Sequence, residues 1–447
     1  MSHGSRREEA QMPDDQRDGP LDGAVAIVRR APFSDNPRVG ARGQRTQQRI
    51  LDAALRAFGD QGYHACSIDR ITKLARCSRV AFYQYFASKE EVYRHLAGQV
   101  ARQVSASTEA LDQLTPDIGG WAAMRTWVAR YAEIYSRYEP IFHSLEVDEV
   151  LAGMARHTGV ETIGRIHARL ATTTLPPRQL DPVIRLLLDC LNHTLEVSGT
   201  LRSVVPDAYP GERIEVAITD VLHRTLFGMR ADVNVHPSDG SRPPVLEFGP
   251  AVFDVLRHDG AIAPDAAVNL ALDSLLASAR AVFVERGYHA TRVDDLVEAA
   301  GVSHGAFYRY FRNKEHLARI LTARAVEALG AEVLELPDVA VLEGPTGASV
   351  LRRWLRRYYA AHAQEAVMLR VWMDAALQDP VIRTESAPPL DWGRRRMSRF
   401  LRPREFGDAN VDAVVMVALL GVFGARQRSP GEVEAAAHII ERGLLGR

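Results

Sequence analysis

Ten residues recur almost letter for letter in this chain, as AFYQYFASKE at 81–90 and AFYRYFRNKE at 306–315. Each copy sets a tyrosine, Tyr83 or Tyr308, beside a long polar residue, Gln84 or Arg309. Each then closes on a lysine, Lys89 or Lys314. Lysine occurs elsewhere only at Lys73, every other strong base being arginine, so the matched pair stands out. These side chains are hydrogen-bond donors and fixed charges, which suit recognition rather than bond making. Arg309 has the fork to engage a guanine edge or a phosphate. Tyr308 and Lys314 can donate to phosphate oxygens, which sets register without reading sequence. The helix start near Lys314 also offers free backbone N–H groups to an anion.

Such donors need elements that aim them. Phe307 and Phe311, like Phe82 and Phe86, are spaced i, i+4 and therefore point to a core from one helical face. His304, Gly305, Tyr308 and Arg309 are left on the outer face. Ser303 reads as the N-cap of this short helix, 304–311. Gly301 permits a left-handed turn residue before it. A helix over roughly 293–300 precedes the turn, and an earlier helix stops at Gly287. Two helices joined by a three-residue turn with glycine form a helix-turn-helix. Its second helix has the size of a major-groove reader.

The repetition extends beyond the ten residues. Gly62, Tyr63, His64 and Ala65 recur without a gap as Gly287, Tyr288, His289 and Ala290. Asp69, Ala75 and Ser78 recur as Asp294, Ala300 and Ser303, and the ends match as HRTLFG at Gly228 and ERGLLG at Gly446. The unit is far longer than a solenoid repeat of about 20–50 residues, so a whole domain is duplicated. Apolar residues recur at helical spacing and strand-like alternation is nearly absent, which predicts an all-α fold of two tandem units. Residues 1–43 read as a disordered tail. The first head then spans 44–95 and its larger helical domain 96–230. A linker follows at 231–265, with an apolar stretch, VLEFGPAVFDVL, able to dock. The second head spans 266–320 and its helical domain 321–447.

Bulk properties exclude several functions. The net charge of −1 leaves no global field toward polyanions, so any nucleic-acid contact must use local basic patches. Cys66, Cys77 and Cys190 have neither metal-ligand spacing nor an even disulfide count, and read as small buried hydrophobes in a reducing compartment. No phosphate loop, nucleophile elbow or zinc motif is present, so neither an enzyme, a cofactor nor a metal is expected. No signal peptide or membrane-length apolar run stands out, and the expected home is the cytoplasm.

The segment GYHATRVDDLVEAAGVSHGAFYRYFRNKEHL resembles the DNA-binding segment of the tetracycline-repressor (TetR) family. It holds the Gly-Tyr, the Thr, the Ala-Gly-Val-Ser-x-Gly, the apolar-Tyr pair, the Phe and the Lys-Glu of that pattern, from Gly287 to Glu315. The resemblance implies three DNA-binding helices followed by a larger helical domain that binds an effector and dimerises. The implied function is ligand-controlled transcriptional regulation, usually repression, with double-stranded DNA and an unidentified, largely apolar small molecule as partners. In the first head the DNA-contact residues so implied are Arg45, Ser67, Ser78, Arg79, Val80, Tyr83, Gln84 and Lys89. In the second they are Thr291, Arg292, Ser303, His304, Gly305, Tyr308, Arg309 and Lys314.

The first copy departs from the pattern. Arg76 replaces the turn glycine, where a left-handed non-glycine residue costs roughly 1 kcal/mol. Val80 replaces the glycine that admits a close groove. Yet residues 42–94 hold ten Arg or Lys against five Asp or Glu, whereas 265–324 hold eight against seven. The first head is thus expected to lean on phosphates and Arg79, and the second on Arg309. A sensor or interaction module that has lost DNA binding is the competing reading.

In the helical domains Trp127, Tyr131 and Tyr135, and Trp354, Tyr358 and Trp372, form aromatic successions. They suit either a pocket wall or plain core. The late apolar helices, 183–200 with 211–228 and 411–424 with 431–445, correspond by resemblance to a dimer seam. That seam would join the two halves of one chain, or else equivalent helices of two chains.

Overall fold

Ser78 and Ser303 begin the same short helix in the two halves. The Ser78 hydroxyl accepts from Ala81 N at 3.0 Å, and the Ser303 hydroxyl accepts from Ala306 N at 3.2 Å. Each takes up an orphan N–H of a helix start. The helices so capped are α3 (Arg79–Tyr85) and, in the second half, α11 (His304–Tyr310). Before them lie α1 (Ala41–Ala65) and α2 (Ile68–Ala75), matched by α9 (Ala266–Arg286) and α10 (Val293–Ala300). The next helices, α4 (Lys89–Glu109) and α12 (Lys314–Leu334), are capped by Ser88 and Asn313.

The turn inside each head is closed in the same way. Arg76 sits at φ 52°, ψ 49° and Gly301 at φ 63°, ψ 28°. Cys77 N then reaches Thr72 O, and Val302 N reaches Val297 O, each at 3.0 Å. Arg76 is the one non-glycine residue with positive φ among the described residues. The fold therefore imposes a left-handed turn there at the expense of an arginine. Arg76→Gly is expected to stabilise the first head by about 1 kcal/mol. Urea denaturation of the variant checks this, and a loss of stability would contradict it.

The structure is a computed structural model that describes residues 40–144, 149–229, 243–246, 266–288, 290–378, 380–402, 404, 406–422 and 430–447. The rest of the first half is α5 (Ile118–Ser144), α6 (Glu149–Arg169), α7 (Pro177–Val204) and α8 (Gly211–Phe227). The second half continues with α13 (Val339–Leu342), α14 (Gly347–Gln378), α15 (Pro380–Leu401), α16 (Ala409–Gly421) and α17 (Pro430–His438), which runs into a π-helical turn at Ile439–Leu444. No strand occurs among the described residues, and the single β-bridge joins Leu114 to Leu170. The chain is all-α, in two tandem units.

The expected tail, 1–43, falls almost wholly outside the described residues, although 41–43 already belong to α1. Most of the expected linker also lies outside them. Within it, Leu246 packs on the core and its N–H reaches the buried Asp391 carboxylate at 3.1 Å.

The core is continuous from the first head into both helical domains. Ile50, Phe58, Phe82 and Phe86 belong to the same cluster as Leu191, Val415 and Ile440. The second head has its own cluster, in which Leu275, Phe283, Leu296, Phe307 and Phe311 meet Met368 and Val371 of α14. That long helix packs on α9 of the second head and also on α1 of the first.

The late helices of the two halves pack on one another. α7 lies against α15, α16 and α17, and α8 lies against α16 and the π-helical turn. At this seam Arg224 is fully buried. Its Nε donates to Gly443 O at 2.8 Å, and its guanidinium faces Asp220 at 3.6 Å and Asp412 at 3.8 Å. Arg404 also pairs with Asp412 and donates to Leu444 O at 2.7 Å. Both guanidinium groups stack on the Phe406 ring. Arg213 and Asp408 form a further ion pair across the seam.

Candidate nucleic-acid interface

Ridges of polar side chains stand on the outer faces of α3 and α11. Ser78, Arg79, Val80, Tyr83 and Gln84 are exposed, and so are their counterparts Ser303, His304, Gly305, Tyr308 and Arg309. The buried phenylalanines aim this face. Phe82 holds the Tyr83 ring edge-on at 5.5 Å between centroids, and Phe307 holds Tyr308 at 5.3 Å. Each phenol is thereby turned outward from an anchored ring. The two heads thus present the same constellation, differing in Arg79 against His304, Val80 against Gly305, and Gln84 against Arg309.

A carboxylate restrains the first residue of each recognition helix. Arg79 Nε lies 3.3 Å from Asp69 Oδ1, and His304 Nε2 lies 2.7 Å from Asp294 Oδ1. All four side chains are exposed, so each pair orients its base without contributing much stability. Sequence comparison aligns the two aspartates without giving them a role. Their spacing, ten residues before the base and across a tight turn, is the signal that could have done so.

Arg42, Arg45 and Arg49 are exposed at helical spacing along the start of α1, giving the first head a basic stripe. Ser67 is exposed but engaged locally, its hydroxyl accepting from Arg70 N at 3.2 Å as the cap of α2. Arg292 takes the matching place in the second head with an exposed side chain. There Asp295 reaches back to accept from Arg292 N at 2.7 Å, so the cap is supplied from inside the helix.

Three expected contacts prove to be turned inward. Thr291 is buried, and its hydroxyl donates to Gly287 O at 2.7 Å. Lys314 Nζ donates to Tyr288 O and Thr291 O, both at 2.9 Å, and sits 4.4 Å from the centre of the Tyr288 ring. Lys89 Nζ donates to Tyr63 O at 2.7 Å and Cys66 O at 3.0 Å, over the Tyr63 ring. Each lysine thus ties the start of one helix to the chain at and just beyond the end of the first helix of its head. Burial lowers the Lys314 ammonium below its ordinary range, with Glu315 opposing. We infer that the retained lysine pair is structural, since each ammonium gives two of its three N–H donors to the backbone. Lys314→Met is expected to destabilise the second head by about 2 kcal/mol. It is expected to leave the salt slope of DNA binding unchanged, whereas loss of a phosphate contact would lower that slope by about one. A slope lowered by one would restore the phosphate role.

The six aromatic candidates for effector contact are all buried. Tyr131 donates to Asn192 Oδ1 at 2.7 Å, and Trp354 stacks on Tyr358 and donates its indole N–H to Glu332 O at 2.9 Å. Burial raises the phenols of Tyr131, Tyr135 and Tyr358 above their ordinary range. Trp127 lines an apolar cavity of about 20 Å³ with Leu111, Leu114, Met124, Ile166 and Leu222. That space is near the minimum for one water-sized group. The cysteines are free. Burial raises the thiols of Cys66 and Cys77 and lifts Cys190 to about 12, so none is a thiolate at neutral pH. No helix among the described residues is long and apolar enough to cross a membrane.

Comparison with known proteins agrees with this geometry. The family model "Bacterial regulatory proteins, tetR family" matches twice, at residues 50–96 and 275–320. The chain is similar to the transcriptional regulator AcuR of Cereibacter sphaeroides, with 39% identity over 82 residues, 18% of this chain and 35% of that one. It is similar to the HTH-type transcriptional regulator SrpR of Pseudomonas putida, with 31% identity over 134 residues, 30% of this chain and 56% of that one. The matched stretches thus span about a third and about half of those two regulators. It is also similar to the uncharacterized HTH-type transcriptional regulator TtgW of Pseudomonas putida, with 31% identity over 134 residues, 30% of this chain and 89% of that one. Two matched heads, each with the geometry of a helix-turn-helix, and a relative covered almost end to end lead to one conclusion: the chain belongs to the TetR family and carries the family's DNA-binding domain twice.

Proposed function

We propose that the chain is an effector-responsive transcriptional repressor of the cytoplasm whose two halves pair within one molecule and read two unlike half-sites of double-stranded DNA. The observation that carries this reading is the chemistry of the seam. Thr225 and Gly443 occupy matching places in the closing phrases of the two halves. They also lie against each other, for a Cβ added at Gly443 would stand 2.4 Å from the Thr225 hydroxyl and 3.0 Å from Val221. Self-pairing of the first half would set threonine on threonine there, and self-pairing of the second would leave a gap. Unlike pairing fills the site. Elsewhere on the seam Gly421 lies against His193, where a Cβ would meet the imidazole at 2.3 Å.

A regulator of this kind presents two recognition helices about 34 Å apart. Joining them in one chain replaces bimolecular association by a high effective concentration. It also lets the heads diverge, as Gln84 and Arg309 do. The domains that carry this division of labour are the two heads, 44–95 and 266–320, and the helical domains after each. Against the reading as a sensor without DNA binding stands Arg76, which adopts the same left-handed turn as Gly301. The effector part rests on the buried aromatic successions. These side chains are buried and the cavity beside Trp127 holds no more than a water-sized group, so a largely apolar effector must part them to enter.

Light scattering on the chain, free and bound to a duplex selected by it, tests the arrangement. One chain per molecule and one per duplex is the expected result. Two chains with four heads on one duplex would contradict it.

A further inference from the structure

Val80 and Gly305 hold the same place in the two recognition helices, one residue after Arg79 and His304. Within the protein a Cβ at Gly305 would meet nothing nearer than Ser303 Oγ at 3.8 Å, so the fold leaves the position open. Glycine in a helix is disfavoured relative to alanine. On the outer face a glycine leaves room for the close approach of a partner. At the same place the first head carries an isopropyl group that is 72% exposed, the most exposed of the large apolar side chains among the described residues. One exposed valine on an open surface is ordinary. This one stands in the first turn of a recognition helix, where side chains meet base edges.

Valine has no donor or acceptor, so it can neither bond a phosphate nor read a hydrogen-bonding edge. The apolar group on the floor of the major groove is the thymine C5-methyl, which marks one strand of an A·T pair. We infer that Val80 is a specificity residue that packs on a thymine methyl in the half-site under the first head. The second head, with Gly305, makes no such contact and comes closer to the groove. The two half-sites therefore differ at the base step under this position. This inference rests on the DNA-reading function proposed above.

Thymine-to-deoxyuridine scanning tests it, because deoxyuridine keeps every base-pairing group and lacks only the methyl. Binding of the full chain is measured on a duplex it has selected, with each thymine replaced in turn. In the half-site under the first head, one replacement is expected to weaken binding about fourfold, the worth of one buried methyl. Val80→Gly is expected to lose that sensitivity while still binding, and Val80→Ala to retain part of it. Val80 is exposed, so these variants keep the fold, which circular dichroism verifies. A duplex bound tightly with no thymine whose methyl matters in a Val80-dependent way overturns the inference alone. Failure of the wild-type chain to bind any duplex at low salt overturns the regulator reading and the inference with it.

Discussion

Arg224→Met is expected to lower the stability of the chain by about 3–5 kcal/mol, the loss that follows when one partner of a buried ionic cluster is removed. The reason lies in what the guanidinium holds. It is fully buried at the seam, donates to the Gly443 carbonyl of the other half, and faces Asp220 and Asp412 from opposite halves. Burial depresses the Arg224 guanidinium, and Asp412 and Asp220 hold it up. Without it Asp220 keeps the Trp121 indole N–H at 2.8 Å, and Asp412 keeps Arg404. The cluster then carries two carboxylates against one guanidinium in a buried interface. Methionine fills most of the volume, so the loss reports the charge rather than a cavity. Urea denaturation followed by circular dichroism measures it. A loss below about 1 kcal/mol would mean that the seam does not depend on this cluster.

Phe307→Ala has a comparable effect with a different reach. A buried phenylalanine cut to alanine costs about 3–5 kcal/mol. Phe307 is fully buried, but in the separate cluster of the second head and α14. That head is expected to unfold as its own unit, below the main transition. Binding at one half-site should vanish while the first head keeps its contacts. Phe82→Ala, the matching change in the first head, falls in the cluster continuous with the seam and should broaden or lower the main transition instead. Differential scanning calorimetry separates the two. A single unchanged transition in Phe307→Ala would contradict the separate core.

The heads were legible in sequence because their determinants are local. A serine cap, a left-handed residue at 76 or 301, and phenylalanines at i, i+4 fix a short helix and its outward face within about ten residues. The lysines were not, because their partners are backbone carbonyls 23 and 26 residues away, at or beyond the end of another helix. A matched pair retained in an arginine-rich chain signals importance, and cannot say whether the ammonium points out or in. Thr291 is turned inward by a nearer partner, the Gly287 carbonyl four residues before it. The aromatic successions stayed ambiguous, since a 3.6-residue period describes a pocket wall and a filled core equally. The seam was legible as apolar helices late in each half. Its ionic cluster was not, because nothing in the sequence pairs Arg224 with Asp412 across 188 positions. The expected tail, 1–43, overlaps the first residues of α1, whose start leaves no sequence signal because Gly40 caps it without a side-chain hydrogen bond.

Selection of bound duplexes from a random pool by the intact chain tests the central claim most directly. The account predicts two inverted half-sites of unlike sequence, spaced by about one helical turn. Their enrichment should persist in Thr225→Ser, which keeps the seam, and collapse to one half-site in Phe307→Ala. A perfect palindrome would contradict the account, because it would mean that equivalent heads pair on DNA and that the halves of one chain do not act together.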